Sequence, residues 1–325
     1  MIGDLTRTEA FRRLEFIRFL GGIDYVLVRS PNRTHQRYTR AQHSLGVARL
    51  ALRYAARMDL ASDEARHLFV ASLLHDIGHA PLSRSLEPVF AEHFSLTHHQ
   101  ATEEIIAGRA GIGASLYEVL LNYGINVERV IALINGQDPS FDNFFSGPIN
   151  FDTLEGIFRS KRYNAQSSTQ LNPENVLDAA IMRSGISDQD AVDDFWCQKN
   201  EVYKYIINSK TGILADFACQ YFMRENLAKI SREDYYTTEE KLFKKLRGLR
   251  PLLSSPTFEL EIWRLVSEPI AYTNRTFFVD THHDFFSRAD KHRYKQSRQM
   301  SRLELRLYSE PQLESTKELF DDQRL

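Results

Sequence analysis

Helical periodicity runs through most of this chain and confines its fold class before any single residue is weighed. From Ser44 to Met58 the apolar residues Leu45, Ala48, Leu52 and Ala55 return at steps of three and four, the spacing that lines one face of a helix. From Glu64 to Asp76, Leu68, Ala71 and His75 share a stripe, so the pattern turns a histidine toward the place where a core should form. His79 follows one turn later, and Pro81 ends the run. Thr97 and Gln100 have the spacing of a capping box, which puts His98 and His99 in the first turn of a helix reaching about Gly108. Backbone N–H groups at such a turn favour anions.

Further helices are expected at about 114–123, 126–135, 152–160, 174–183, 189–208, 212–229, 238–248 and 256–267. Gly124, Gly136 and Gly185 serve as stops and Pro173 as a start. Asp138 to Asn150, with Pro139, Gly147 and Pro148, reads as a loop that delivers Asp152 to the head of the next helix. Toward the C-terminus, 275–281 and 303–308 read as strands, separated by a basic run of Arg288, Lys291, Arg293, Lys295, Arg298 and Arg302. The expected fold is mainly α, a helical unit over 1–185 followed by a helical extension, 186–325, that carries a small β-hairpin or sheet.

Composition narrows the partners. Net charge is -2, so phosphates must be bound by local patches and not by a global field. The run 288–302 is such a patch: it fits a solvated loop or a contact to nucleic acid, with Phe285 and Phe286 beside it. Trp196 and Trp263 read as core or interface residues. Two cysteines, Cys197 and Cys219, make no disulfide framework and read as reduced thiols. The expected setting is cytoplasmic and soluble: no secretory leader is evident, and no apolar stretch nears the roughly 20 residues that span a bilayer.

The chemistry centres on His43, the adjacent pair His75-Asp76 and the distant Asp152. Imidazole and carboxylate together suit one divalent transition-type ion better than Ca. Such an ion activates water beside a phosphate ester, so the set reads as that of a hydrolase.

Longer strings surround these residues: Arg40-Ala41-Gln42-His43-Ser44-Leu45-Gly46-Val47, then Leu73-Leu74-His75-Asp76-Ile77-Gly78-His79-Ala80-Pro81, then Asp152 at a helix start. On them the chain resembles the HD-domain phosphohydrolase superfamily, in particular the branch of deoxynucleoside triphosphate triphosphohydrolases. Arg13-Leu14-Glu15-Phe16-Ile17 resembles an early segment of that branch. The resemblance implies an HD helical bundle with His43, His75, Asp76 and Asp152 on one divalent ion (Mn, Fe, Zn, Ni or Mg). It implies Arg40 on substrate phosphate, His79 and His98 lining the phosphate and assisting proton transfer, and Glu87 orienting one of them. A second ion on His79, His98 and His99 is the alternative use of those histidines, and self-association is a further expectation.

Four positions depart from the family pattern. Arg84 stands where many members have a second catalytic His, Asn150 and Ser160 replace Asp, and Gly156 replaces a Tyr that helps hold the nucleoside sugar; Arg159 is retained. Arg40, Arg84 and Arg159 are therefore the candidate phosphate-binding cations. The leading expectation is cleavage of a deoxynucleoside triphosphate to deoxynucleoside and triphosphate. The alternatives are a phosphodiesterase or nuclease acting on nucleic acid or a cyclic nucleotide, and a non-enzymatic nucleotide-binding regulator.

Overall fold

The computed structural model describes residues 1–27, 37–141, 145, 147–163, 172–286 and 290–304. At its centre lies the Arg40–Arg57 helix, opened by a capping box in which Thr39 and Gln42 bond reciprocally. The Ser62–Leu74, Phe151–Lys161 and Pro173–Met182 helices pack against it. Its buried face is broader and smaller in side chain than the sequence suggested. Ala41, His43, Ser44, Val47, Ala48, Ala51, Tyr54 and Ala55 are buried, whereas Leu45 and Leu52 are 42% and 48% exposed. The reading that placed both leucines on the inner stripe is thus corrected. Alanines and Ser44 fill much of the contact face, with Val47, Leu50 and Tyr54 as its larger buried side chains.

Ala114–Asn122, Val127–Ile134, Phe151–Lys161 and Pro173–Met182 form close to their expected limits, whereas 212–229 is helical as Lys210–Glu225, and 238–248 and 256–267 shorten to Glu239–Lys245 and Phe258–Trp263. The box predicted for Thr97 and Gln100 is present and starts the His98–Ile106 helix. The Ile186–Val202 helix does not run on regularly to 208. It passes into a single π turn, Tyr203–Ile207, a local widening often found where a helix meets a functional cavity.

Two antiparallel strands complete the described chain: β1, Ile270–Val279, and β2, Tyr294–Leu303, with Ile270 opposite Leu303 and Val279 opposite Tyr294. β1 confirms the first expected strand. The second strand lies earlier than 303–308, and residues 305–308 fall outside the described residues. Much of the basic run is therefore strand, not connecting loop; Arg288 also falls outside the described residues. Charged side chains outward on a two-stranded ribbon hide its alternation from a hydrophobicity reading, and they also discourage further strands from pairing. Trp196, 1% exposed, ties the ribbon down. Its Nε1–H donates to the carbonyls of Phe278 and Lys295, both at 3.1 Å, and Phe277 meets its ring edge-on at 5.4 Å.

Buried apolar residues form two clusters, and each draws on both sides of residue 185. One joins Leu68, Leu74 and Leu154 with Phe195, Trp196 and Phe277, and the other joins Phe19, Leu86 and Phe90 with Leu214, Tyr235 and Ile262. No helix among the described residues is long and apolar enough to cross a membrane.

Candidate metal centre

One helix end and two helix starts converge on the centre. His75 follows directly on the Ser62–Leu74 helix, and its Nδ1 lies 2.9 Å from the carbonyl of Ser72. That bond fixes the proton on Nδ1 and leaves Nε2 with a lone pair, buried and with no hydrogen-bond partner among the described residues. His43, fully buried in the first turns of the Arg40–Arg57 helix, turns its Nε2 to within 3.0 Å of Asp152 Oδ1. Asp152 stands in the first turn of the Phe151–Lys161 helix, with a carboxylate 60% exposed. Asn150 caps that helix, its Oδ1 accepting from the Thr153 N–H at 2.7 Å. One donor atom each from His43, His75 and Asp152 lie within 4.8 Å of one another.

Two imidazole nitrogens and a carboxylate at such spacing frame an ion whose bonds run to about 2.0–2.2 Å. The orphaned Nε2 of His75 is what a cation would satisfy, so the donor set fits a transition-type divalent ion. Electrostatics agree. Burial disfavours charge on His43, yet its hydrogen bonds to Asp152 and Glu155 and the charge of Asp76 raise it to about 9. The site thus draws positive charge to the place a metal would take.

Asp76 sits between this trio and a second group. Its Oδ2 is 3.5 Å from His43 Nε2 and its Oδ1 3.4 Å from His75 Nε2. Arg40 Nη1 donates to Oδ2 at 2.6 Å, and His79 Nε2 approaches Oδ1 at 3.1 Å. Burial works against its charge, but His75, His79 and Arg40 together hold its carboxyl well below the usual range. Backbone geometry around it is set by Arg13, which donates to the carbonyls of Ile77 at 2.7 Å and His79 at 2.8 Å. Gly78 is required between them: a Cβ there would lie 2.5 Å from Thr102 Oγ1, which accepts the Gly78 N–H.

His79 and His98 stack face to face, centroids 4.7 Å apart and planes 4° apart. Burial and then the charge of Arg40 lower His79 to about 4. His98 moves the other way: burial opposes, but Glu87, whose Oε1 lies 2.5 Å from His98 Nδ1, raises it. Neighbouring groups pushed apart in this way can divide the roles of acceptor and donor. His99 packs on His98 at 4.0 Å. Among the described residues, His79, His98 and His99 do not form a cluster with metal-ligand spacing; His43, His75 and Asp152 do.

The three candidate phosphate cations separate. Arg40 lies over the Phe19 ring at 5.1 Å and Arg84 donates to Asp216 at 3.0 Å. Both line two cavities that meet at the centre, one of about 720 Å³ and one of about 1140 Å³. Arg159 lines neither; its guanidinium is engaged by Glu155 and by the carbonyl of Gln42.

All four departures from the family pattern, Arg84, Asn150, Gly156 and Ser160, line the 720 Å³ cavity. Its far wall comes from the second half of the chain: Trp196, Lys199, Tyr203, Arg275, Phe277 and Lys295. Lys199 escaped the sequence reading. Its Nζ rests 4.2 Å from the Trp196 ring and 4.6 Å from that of Phe277. Burial lowers it to about 8, against the pull of Asp152. The signal was present: Val192, Trp196, Lys199 and Val202 fall on one helical stripe, and a lysine on such a stripe faces inward.

Comparison with known proteins agrees with this geometry. Residues 40–135 match the family model of the HD domain. The chain is an HD-domain protein. It is related distantly to the deoxynucleoside triphosphate triphosphohydrolases of the SAMHD1 type: it is 29% identical to the chicken (Gallus gallus) enzyme over 159 residues, 46% of this chain and 24% of that one. It is also 28% identical over 216 residues to YwfO, an uncharacterized protein of Bacillus subtilis, covering 62% of this chain and 47% of that protein. With the Mycoplasma genitalium protein MG461 it shares 22% identity over 297 residues, 86% of this chain and 68% of that protein. The chain thus spans about half of YwfO and about a quarter of the chicken enzyme.

Proposed function

We propose that this chain is a metal-dependent phosphohydrolase acting on a nucleotide, in the first instance a deoxynucleoside triphosphate cleaved to deoxynucleoside and triphosphate. The observation that carries the reading is the orphaned His75 Nε2 beside His43 and Asp152, at the meeting of two cavities lined by cations. His43, His75, Asp76 and Asp152 would hold the ion. When bound, it supplies a polarised phosphate oxygen and an activated water. Arg40 and Arg84 neutralise phosphate charge from the cavity walls. His98, held by Glu87, keeps a proton for the leaving oxygen. Lys199, Arg275 and Lys295 receive the anionic part of the substrate on the far wall. The distant relation to the chicken deoxynucleoside triphosphate triphosphohydrolase supports the substrate class.

Elemental analysis of the purified protein, followed by a mass-spectrometric screen of nucleotides with Mn and Mg, tests the reading. Release of triphosphate from a deoxynucleoside triphosphate is expected. Degradation of nucleic acid without turnover of any mononucleotide would instead favour a phosphodiesterase or nuclease. Gly156 motivates that second reading. A Cβ there would meet Phe19, His43 and Asp152 only at 3.6–3.8 Å, so packing does not demand glycine, and the missing side chain leaves room for a larger substrate.

A further inference from the structure

Glu155 stands behind the metal centre. Its Oε2 lies 2.5 Å from Nδ1 of His43, while Nε2 of the same ring faces Asp152 and Asp76. Glu155 is itself held from three directions. Arg159, one turn along the same helix, donates through Nε to Oε2 at 3.0 Å and through Nη2 to Oε1. The second bond of Nη2, 2.9 Å to the carbonyl of Gln42, pins the guanidinium to the backbone beside His43, and the Tyr38 ring covers it at 5.0 Å. The third restraint comes from Gly46. A Cβ there would lie 2.7 Å from both Cγ and Cδ of Glu155. The Arg40–Arg57 helix therefore carries a glycine in its interior where this carboxylate passes, although glycine weakens a helix. Glu155 and Arg159 are each 8% exposed.

We infer that Glu155 is a positioning residue for His43, aimed by Arg159 and admitted by Gly46. This rests on the metal centre proposed above. The carboxylate accepts the Nδ1–H of His43, which fixes the tautomer with its lone pair on Nε2 and makes that nitrogen a better donor to a cation. Arg159 serves the carboxylate behind the ligand and not the substrate. A Glu155–Arg159 pair that merely stabilised its own helix would have no reason to point an oxygen at Nδ1 of a ligand histidine.

The two accounts part on metal affinity. Metal-stripped protein is titrated with Mn²⁺ by calorimetry, with thermal melts of the same samples in the metal-free state. Glu155→Gln is expected to weaken Mn²⁺ binding about 10- to 100-fold, the usual cost of losing such a partner. Gly46→Ala should weaken it in the same direction, because the new methyl displaces the carboxylate. Its metal-free melt should stay cooperative but shift downward, because the roughly 1 kcal/mol that alanine adds to a helix is less than the cost of displacing a buried, paired carboxylate. Glu155→Asp, with its shorter reach, should fall between wild type and Glu155→Gln. If Glu155→Gln does not fold, Gly46→Ala carries the test alone. Folded Gly46→Ala that binds Mn²⁺ within about two-fold of wild type, well short of that cost, overturns the inference and leaves the metal centre standing. Wild-type protein that binds no Mn²⁺ overturns both.

Discussion

The cavity at the metal centre has two walls built on different terms. The near wall, formed by Arg40, Asp76, His79, Glu87, His98 and Asp152, consists of side chains that hold one another: Arg40 and His79 on Asp76, Glu87 on His98, with Glu155 on His43 behind them. The far wall, from Trp196 to Lys295, presents cations and rings to the cavity, and its ribbon is anchored by Trp196 together with Asn200, Asn208 and Asp193. A tightly cross-bonded wall suits chemistry, which needs groups fixed within a fraction of an ångström. A wall of cations on rings suits recognition of an anionic ligand that arrives and leaves.

Variants can break or sharpen that contrast. The largest effect belongs to the near wall. His75→Ala or Asp152→Ala should strip the ion and with it several kcal/mol of transition-state stabilisation, about three powers of ten in rate. Metal content and triphosphate release, measured on the same preparation, check this. His98→Ala should leave metal content unchanged and lower kcat about 10²- to 10⁴-fold, the usual contribution of a general acid. Loss of metal in that variant would show the near wall to be one undivided unit.

On the far wall, Lys199→Met should raise KM about tenfold or more, the worth of a charged hydrogen bond, with kcat and metal content little changed. The sign of the pH effect follows from its lowered pKa of about 8. Lys199 is charged below that pH and neutral above it, so kcat/KM should decline as pH rises through about 8. Lys199→Arg, which stays charged, should remove that limb of the profile. The smallest effect is structural. Trp196→Phe keeps a ring but drops the two bonds to the ribbon. It should cost about 1–2 kcal/mol of stability, read as a fall in melting temperature, and leave metal binding intact.

The same two walls differ in how far the sequence discloses them. Of the residues the motifs mark, His43, His75 and Asp152 offer donor atoms within 4.8 Å of one another and Asp76 lies beside them, and the strings also carry scaffolding: Gly78 for close approach to Thr102, and Thr97 with Gln100 for the helix that presents His98. Arg159 was legible as a residue but not as a partner of Glu155, since a motif names positions and not directions. The far wall was harder to read. β2 is basic along much of its length, so hydrophobic alternation does not mark it, and 303–308 drew the strand too late. The stripe of Val192, Trp196 and Val202 points Lys199 inward but does not disclose that the Trp196 and Phe277 rings enclose it, because Phe277 comes from a distant strand. Leu45 and Leu52 misled for a related reason: large apolar side chains dominate a periodicity, while alanines and Ser44 fill much of the contact face.

Anomalous diffraction from crystals grown with Mn²⁺ tests the central claim most directly. A single strong peak bonded to Nε2 of His43, Nε2 of His75 and carboxylate oxygens of Asp76 and Asp152 is the predicted result. A map with no peak at that position, or with manganese bound elsewhere and the His43 and His75 rings turned to other partners, would contradict it.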